Sequence, residues 1–144
     1  MDAWAIDLGT THTVISYWLK TDGLSRVLDL PKFSKLTDVE AVGIEPALIP
    51  SAVAFPRRSP VNKGLSRLSG FFRKVHKTHH IIGRAALEQS QDVDDGFIEN
   101  FKMDLAHAPY RRVLNRQGQT VTVRDVAKTF LATLISEVKL TTGH

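Results

Sequence analysis

The chain has 144 residues, 42% of them hydrophobic and 24% charged, ordinary values for a soluble globular protein and enough for one modest domain or for a piece of a larger one. No apolar run approaches the roughly 20 residues that span a bilayer. The first residues lack the basic flank and cleavage site of a secretory signal, and the absence of cysteine excludes disulfides and thiolate metal sites, which suits a cytoplasmic protein. The net charge of +4 is unevenly spread: seven Lys or Arg and no acid lie between Arg57 and His80, and the other twelve basic residues face fifteen acids, so the remainder carries −3.

Trp4 to Leu8 reads as a short buried strand and Thr13 to Leu19 as its neighbour. Lys20-Thr21-Asp22-Gly23 is a turn, with Asp-Gly supplying the positive-φ positions of a hairpin. Ser25 to Leu30 alternates as a half-buried third strand, completing an antiparallel meander. Pro31 to Pro46 has little periodicity and reads as a connecting excursion. Leu48 to Phe55 is the next strand, with Pro50 confined to its entry or an edge. After the basic segment, His80 to Ser90 reads as a strand, a Gly-Arg turn and a helix start. Gly96 to Lys102 follows the acidic loop Asp92 to Asp95 as a short structured run. Val113 to Val123 resembles a hairpin turning near Gln117-Gly118.

The final element has the clearest signal. Thr122-Val123-Arg124-Asp125 fits a capping box. Apolar residues at Val123, Val126, Ala127, Phe130, Leu131, Leu134, Ile135 and Val138 then mark one broad stripe of a helix.

The stretch Asp7-Leu8-Gly9-Thr10-Thr11-His12 sets one carboxylate among apolar residues and breaks the strand with Gly-Thr-Thr. A buried charge there needs a partner, a metal or a cleft. Two readings of the residues stand. One is a hairpin with a capped turn. The other is a turn whose consecutive N–H groups and hydroxyls receive phosphate oxygens, with Gly9 allowing close approach and Asp7 holding a hydrated Mg²⁺. Neither a P-loop nor a dinucleotide fingerprint occurs.

The motif "AIDLGTTHTVI" resembles the first phosphate motif of the DnaK-type, seventy-kilodalton heat-shock chaperones of the actin-like ATPase superfamily. "IPSAVAF" resembles the strand after that family's first meander, "IIGRAALEQS" its "vG..A..q" segment, and "FIENFKMDL" the stretch with its catalytic lysine. The helix from Val123 resembles the one before its second strand set. The order is the family's, and the resemblance covers nearly the whole chain apart from the basic segment and part of Lys32 to Glu45.

The resemblance implies an α/β chain with the actin-like (ribonuclease H-like) fold, in which residues 1–144 form the N-terminal part of the ATPase domain, the first part of one lobe, with 57–80 as an insertion. ATP and Mg²⁺ are the implied cofactors. Asp7 would sit by the metal and its waters. Gly9, Thr10, Thr11 and His12 would bind β- and γ-phosphate oxygens. Lys102 would reach the γ-phosphate and help place the attacking water, so that Asp7, Thr10 and Lys102 form the catalytic set. Without the resemblance, Lys102 reads as an ordinary surface lysine.

The family's second phosphate loop, adenosine pocket and peptide-binding domain have no counterpart among these residues. The expectation is therefore a fragment inactive alone, meeting unfolded polypeptide clients and co-chaperones only through other regions. His12 stands where the family often has an aromatic or amide residue, and Met103-Asp104-Leu105 replaces a more basic continuation; both mark a divergent member.

Within the basic segment, Leu65, Leu68, Phe71, Phe72 and Val75 fall at helical spacing among Arg67, Arg73, Lys74 and Lys77. The default is an insertion that packs its stripe on the parent domain and solvates its charges. The alternative is a binding element that meets a membrane surface, an acidic partner or nucleic acid, with an acidic partner for Arg57 to His80 as the expectation and nucleic acid not expected. His76, His79 and His80 share helical spacing, but the positive surroundings disfavour a metal. Two further readings stay open: a non-catalytic binding module built on this segment, and another superfamily member such as a sugar kinase or actin-like filament protein.

Overall fold

The meander is organised around its central strand, which carries the β-branched and aromatic run Thr13-Val14-Ile15 and Tyr17-Trp18 and pairs on both edges. The computed structural model describes residues 3–21, 23–34, 47–55, 80–90, 96–107, 112–114 and 120–143. Within them the chain is mixed α/β with antiparallel sheets. β1 (Ala3–Leu8) pairs with β2 (His12–Leu19) in the register Ala3↔Trp18 to Leu8↔Thr13. β3 (Leu24–Val27) pairs with Ser16–Leu19 on the other edge of β2. The turn before β3 closes through Gly23 N–H to Leu19 O, with Gly23 at φ 66° as an Asp-Gly hairpin requires.

β4 (Ile49–Pro50) takes the remaining part of that edge, pairing Pro50 with His12 and Ile49 with Thr13. One residue later the chain joins a second sheet as β5 (Ala52–Ala54). There it lies between β6 (Ile81–Ile82) and β7 (Phe97–Glu99). The single strand expected over Leu48 to Phe55 is thus two short strands in different sheets, with Ser51 as the hinge between them. A uniformly apolar run gives no period from which to read such a switch. β5 is buried on both faces: Val53 enters the main core, while Ala52 and Ala54 pack with Ala86 of α1 (Arg84–Glu88).

α2 (Phe101–His107) follows β7 after one residue. β8 (Arg112–Leu114) and β9 (Thr120–Thr122) form the expected hairpin, in register Val113↔Val121, and its turn lies outside the described residues. α3 (Val123–Thr142) then covers the core. Its capping box is present: Asp125 N–H donates to Thr122 Oγ1 at 3.3 Å, and Thr122 N–H donates to Asp125 Oδ2 at 3.3 Å. Six of the eight stripe residues are fully buried, and Leu131 and Ile135 partly so. Phe130 meets Phe101 edge to face at 5.2 Å between ring centres. The helix closes on Gly143, whose N–H donates to Lys139 O. Lys32 Nζ reaches Glu137 Oε2 at 3.0 Å and ties the loop after β3 to the same helix.

Three expectations are corrected. β1 is not a buried strand: Ala3, Trp4, Ala5 and Asp7 are exposed, because among the described residues only β2 pairs with it. The third strand ends at Val27, and all four of its residues are exposed. Leu28 and Leu30, beyond it, are the ones that enter the core. The excursion after Pro31 begins as part of the core as well, since Phe33 and Ser34 are buried and Ser34 Oγ donates to Leu30 O. Residues 35–46, the acidic loop and the basic segment up to His79 lie outside the described residues, and with them the expected amphipathic helix, His76 and His79. No described helix is long and apolar enough to cross a membrane.

Candidate functional site

The turn between β1 and β2 is Gly9-Thr10-Thr11, with none of residues 9–12 at positive φ. Gly9 is required for a reason other than the sign of φ. A β-carbon on it would be driven into the carbonyl oxygen of His12, so only glycine lets the two sides of the turn close.

The hinge residue Ser51 holds this turn from behind. Its Oγ donates to Gly9 O at 3.0 Å and its N–H donates to Thr11 O at 2.8 Å. Thr13 Oγ1 lies 3.0 Å from Ser51 Oγ. Serine has one hydroxyl proton, and Gly9 O accepts it, so Thr13 is the donor of that pair. Ser51 O accepts from Asn100 N–H at 3.1 Å. Both side chains are buried, Thr13 at 0% and Ser51 at 1% exposure, and the Thr13 hydroxyl has Ser51 Oγ as its acceptor.

Ser51 thus takes up the carbonyls of Gly9 and Thr11, and the hydroxyls of Thr10 and Thr11 are the polar side chains of the turn.

Asn100 has φ 54°, the left-handed value among non-glycine residues that asparagine tolerates best. It turns the chain from β7 into α2, and its carbonyl accepts from Met103 N–H. Lys102, in the first turn of that helix, is exposed. The turn and the strand–helix junction border one cleft of about 150 Å³, lined by Thr11, His12, Pro50, Ser51, Leu87 and Asn100 together with Glu99 and Ala52.

Of the residues singled out from sequence, Thr11 and His12 line this cleft. Asp7, Gly9, Thr10 and Lys102 do not. Asp7 stands opposite Val14 on the exposed face of the sheet, so burial does not force a partner on it as its apolar neighbours suggested. The described residues contain no group of three metal-ligating side chains. With Asp7 outside the cleft and Glu99 alone on its wall, a divalent ion here would keep most of its water shell, which fits Mg²⁺ and not a fully protein-ligated ion. Glu99 puts a negative charge on the cleft wall.

Sequence reading missed Ser51, Thr13 and Asn100. The available signal was a lone hydroxyl inside "IPSAVAF" and an asparagine immediately before a helical run. His80 is explained by packing: its ring meets Phe55 at 6.5 Å, and its Nε2 lies 2.9 Å from Thr133 Oγ1. Thr133 gives its proton to Thr129 O at 2.8 Å, so His80 Nε2 carries the hydrogen and is not a metal-ligating lone pair. No protein-family model matches the sequence, and no curated protein matches it.

Proposed function

We propose that the chain is the ATP-binding N-terminal portion of a DnaK-type ATPase with the actin-like fold, gripping the terminal phosphates of ATP with the hairpin at residues 7–12. The observation that carries the reading is the meeting of two distant motifs on Ser51: the Gly-Thr-Thr turn and Asn100, two residues before Lys102, bond to the same residue. A chance hairpin has no reason to be tied to the segment that resembles the family's lysine stretch.

In this reading the N–H groups and hydroxyls of Thr10 and Thr11 receive β- and γ-phosphate oxygens. The Asp7 carboxylate orients waters of the metal ion. The Lys102 ammonium supplies a compact positive charge at the γ-phosphate and helps hold the attacking water in line. Bound Mg²⁺ would neutralise phosphate charge as the terminal group leaves. Glu99 opposes bare phosphate on the cleft side, so binding depends on the metal. These residues supply one side of a clamp. Turnover, polypeptide clients and co-chaperones belong to the complete family architecture.

A thermal melt with and without Mg·ATP tests the proposal. A ligand that binds only the folded chain adds about 2.7 kcal/mol at a hundredfold excess over its dissociation constant. The expected result is an upward shift that is smaller with ATP and EDTA, and smaller in Asp7→Asn and Lys102→Ala. A wild-type transition unmoved by millimolar Mg·ATP sinks the reading for this chain.

A further inference from the structure

We propose that Ser51 is the positioning residue of the site, its hydroxyl holding the Gly9–Thr11 turn in its binding shape while its backbone fixes that turn against the Asn100–Lys102 junction. The inference rests on the nucleotide reading for its functional consequence. Its structural content stands on the bonds alone.

A serine buried to 1% exposure between two sheets could simply be a tolerated polar residue. The geometry says more. Both turn carbonyls that accept from it, Gly9 O and Thr11 O, flank Thr10, so the two bonds fix the turn on either side of its central residue. Its own carbonyl takes the amide of Asn100, whose left-handed backbone sets where α2 starts. Three polar groups of one residue therefore set the distance between the turn and the helix that bears Lys102. The sheet switch between β4 and β5 makes this possible: the N–H bond to Thr11 O continues the β2–β4 ladder and the C=O bond from Asn100 N–H continues the β5–β7 ladder, so the two sheets meet on one residue.

Thr13 supplies a way to separate positioning from stability. In Ser51→Ala, Gly9 O loses its donor and the buried Thr13 hydroxyl loses its acceptor. The chain is then destabilised by an unsatisfied polar group as well as by the loosened turn. In the double variant Ser51→Ala/Thr13→Val, the second hydroxyl is replaced by a methyl of the same shape. The unsatisfied donor is gone, and Gly9 O still lacks the hydroxyl that held it.

The experiment measures melting temperature, Mg·ATP affinity by titration calorimetry, and amide hydrogen exchange at position 51 and at Asn100, whose N–H groups are bonded to Thr11 O and Ser51 O, in the 144-residue chain and both variants. Expected are faster exchange at those two amides and a roughly tenfold loss of affinity in both variants, as fits one lost hydrogen bond. The melting temperature should fall in Ser51→Ala and recover in large part in the double variant. If affinity and amide exchange recover along with melting temperature, Ser51 is a packing residue and the proposal is wrong. Should the wild-type chain bind no Mg·ATP, the nucleotide reading fails separately. The exchange rates then decide the positioning role alone: unchanged rates at position 51 and at Asn100 in the double variant overturn it.

Discussion

A β-carbon on Gly9 has nowhere to go but into the His12 carbonyl, and the obstacle is backbone, which cannot rotate away as a side chain would. Gly9→Ala should therefore cost about 1–3 kcal/mol of unfolding free energy, as overpacking does. Urea denaturation measures it, and a cost below about 0.5 kcal/mol would show that the turn can open freely. Asn100 poses the opposite case, a backbone strained in the left-handed region with a side chain that tolerates it. Asn100→Gly should be neutral or slightly stabilising, whereas Asn100→Val should be destabilising, because a branched β-carbon tolerates the left-handed region less well than asparagine does. The Gly-Thr-Thr turn was legible because its chemistry is local: a glycine breaks an apolar strand run. Ser51 was not, since its role comes from partners at Gly9, Thr13 and Asn100 that only the folded chain assembles. Asp7 misled for a related reason: apolar neighbours in sequence do not bury a residue on an exposed sheet face.

Among the elements, α3 was the most readable because its start and its buried face are both written locally, in a capping box and a period of 3.6 residues. The box also gives it a pH response. Asp125 has its carboxyl pulled below the ordinary value, first by the Thr122 hydroxyl, then by the Thr122 N–H, with smaller help from Lys128 and Arg124 against a small opposing effect of burial. The charged form is the one the fold favours. Its contribution is complete above the unfolded carboxylate pKa and fades as pH falls through the lower folded value. Thr122→Ala should cost about 1 kcal/mol near neutral pH. The gap between wild type and Asp125→Ala should be constant from pH 7 to 5 and shrink below pH 4. A gap that instead widens on acidification would contradict the sign argued here. Phe130, fully buried and edge-on to Phe101, carries a larger load. Phe130→Ala should cost about 3–5 kcal/mol in chemical denaturation. Leu48 to Phe55 was harder to read than α3, because a strand buried on both faces has no alternation to show where it changes sheets.

At the scale of the molecule, the first sheet is finished on one side only. Its inner face, from Ile6, Ile15 and Leu28, joins the common core with α3. The register puts Ala3, Ala5, Asp7, Trp18, Ser25 and Val27 on the other face. Trp18 is 40% exposed and Val27 43%. Beside that face runs the second edge of β1, with no strand on it among the described residues. Exposed apolar surface next to an unpaired edge is the combination that soluble proteins usually cover or charge, and Asp7 is the only charge on this face among the described residues of β1. The chain should therefore self-associate with rising concentration, seen as an increasing apparent mass in sedimentation equilibrium. Two lysines bear on the two routes. Trp18→Lys places a charge on the face at the central strand and leaves the edge intact, whereas Ala5→Lys places one on the same face at the edge strand itself, opposite Ser16. Both positions are exposed, so neither change should shift stability by more than about 0.5 kcal/mol. Loss of association in Trp18→Lys alone would assign the contact to apolar face packing. Loss in Ala5→Lys alone would assign it to strand pairing along β1. Association undiminished in both would place the contact away from this sheet, and the unfinished side of the meander would then have no part in it.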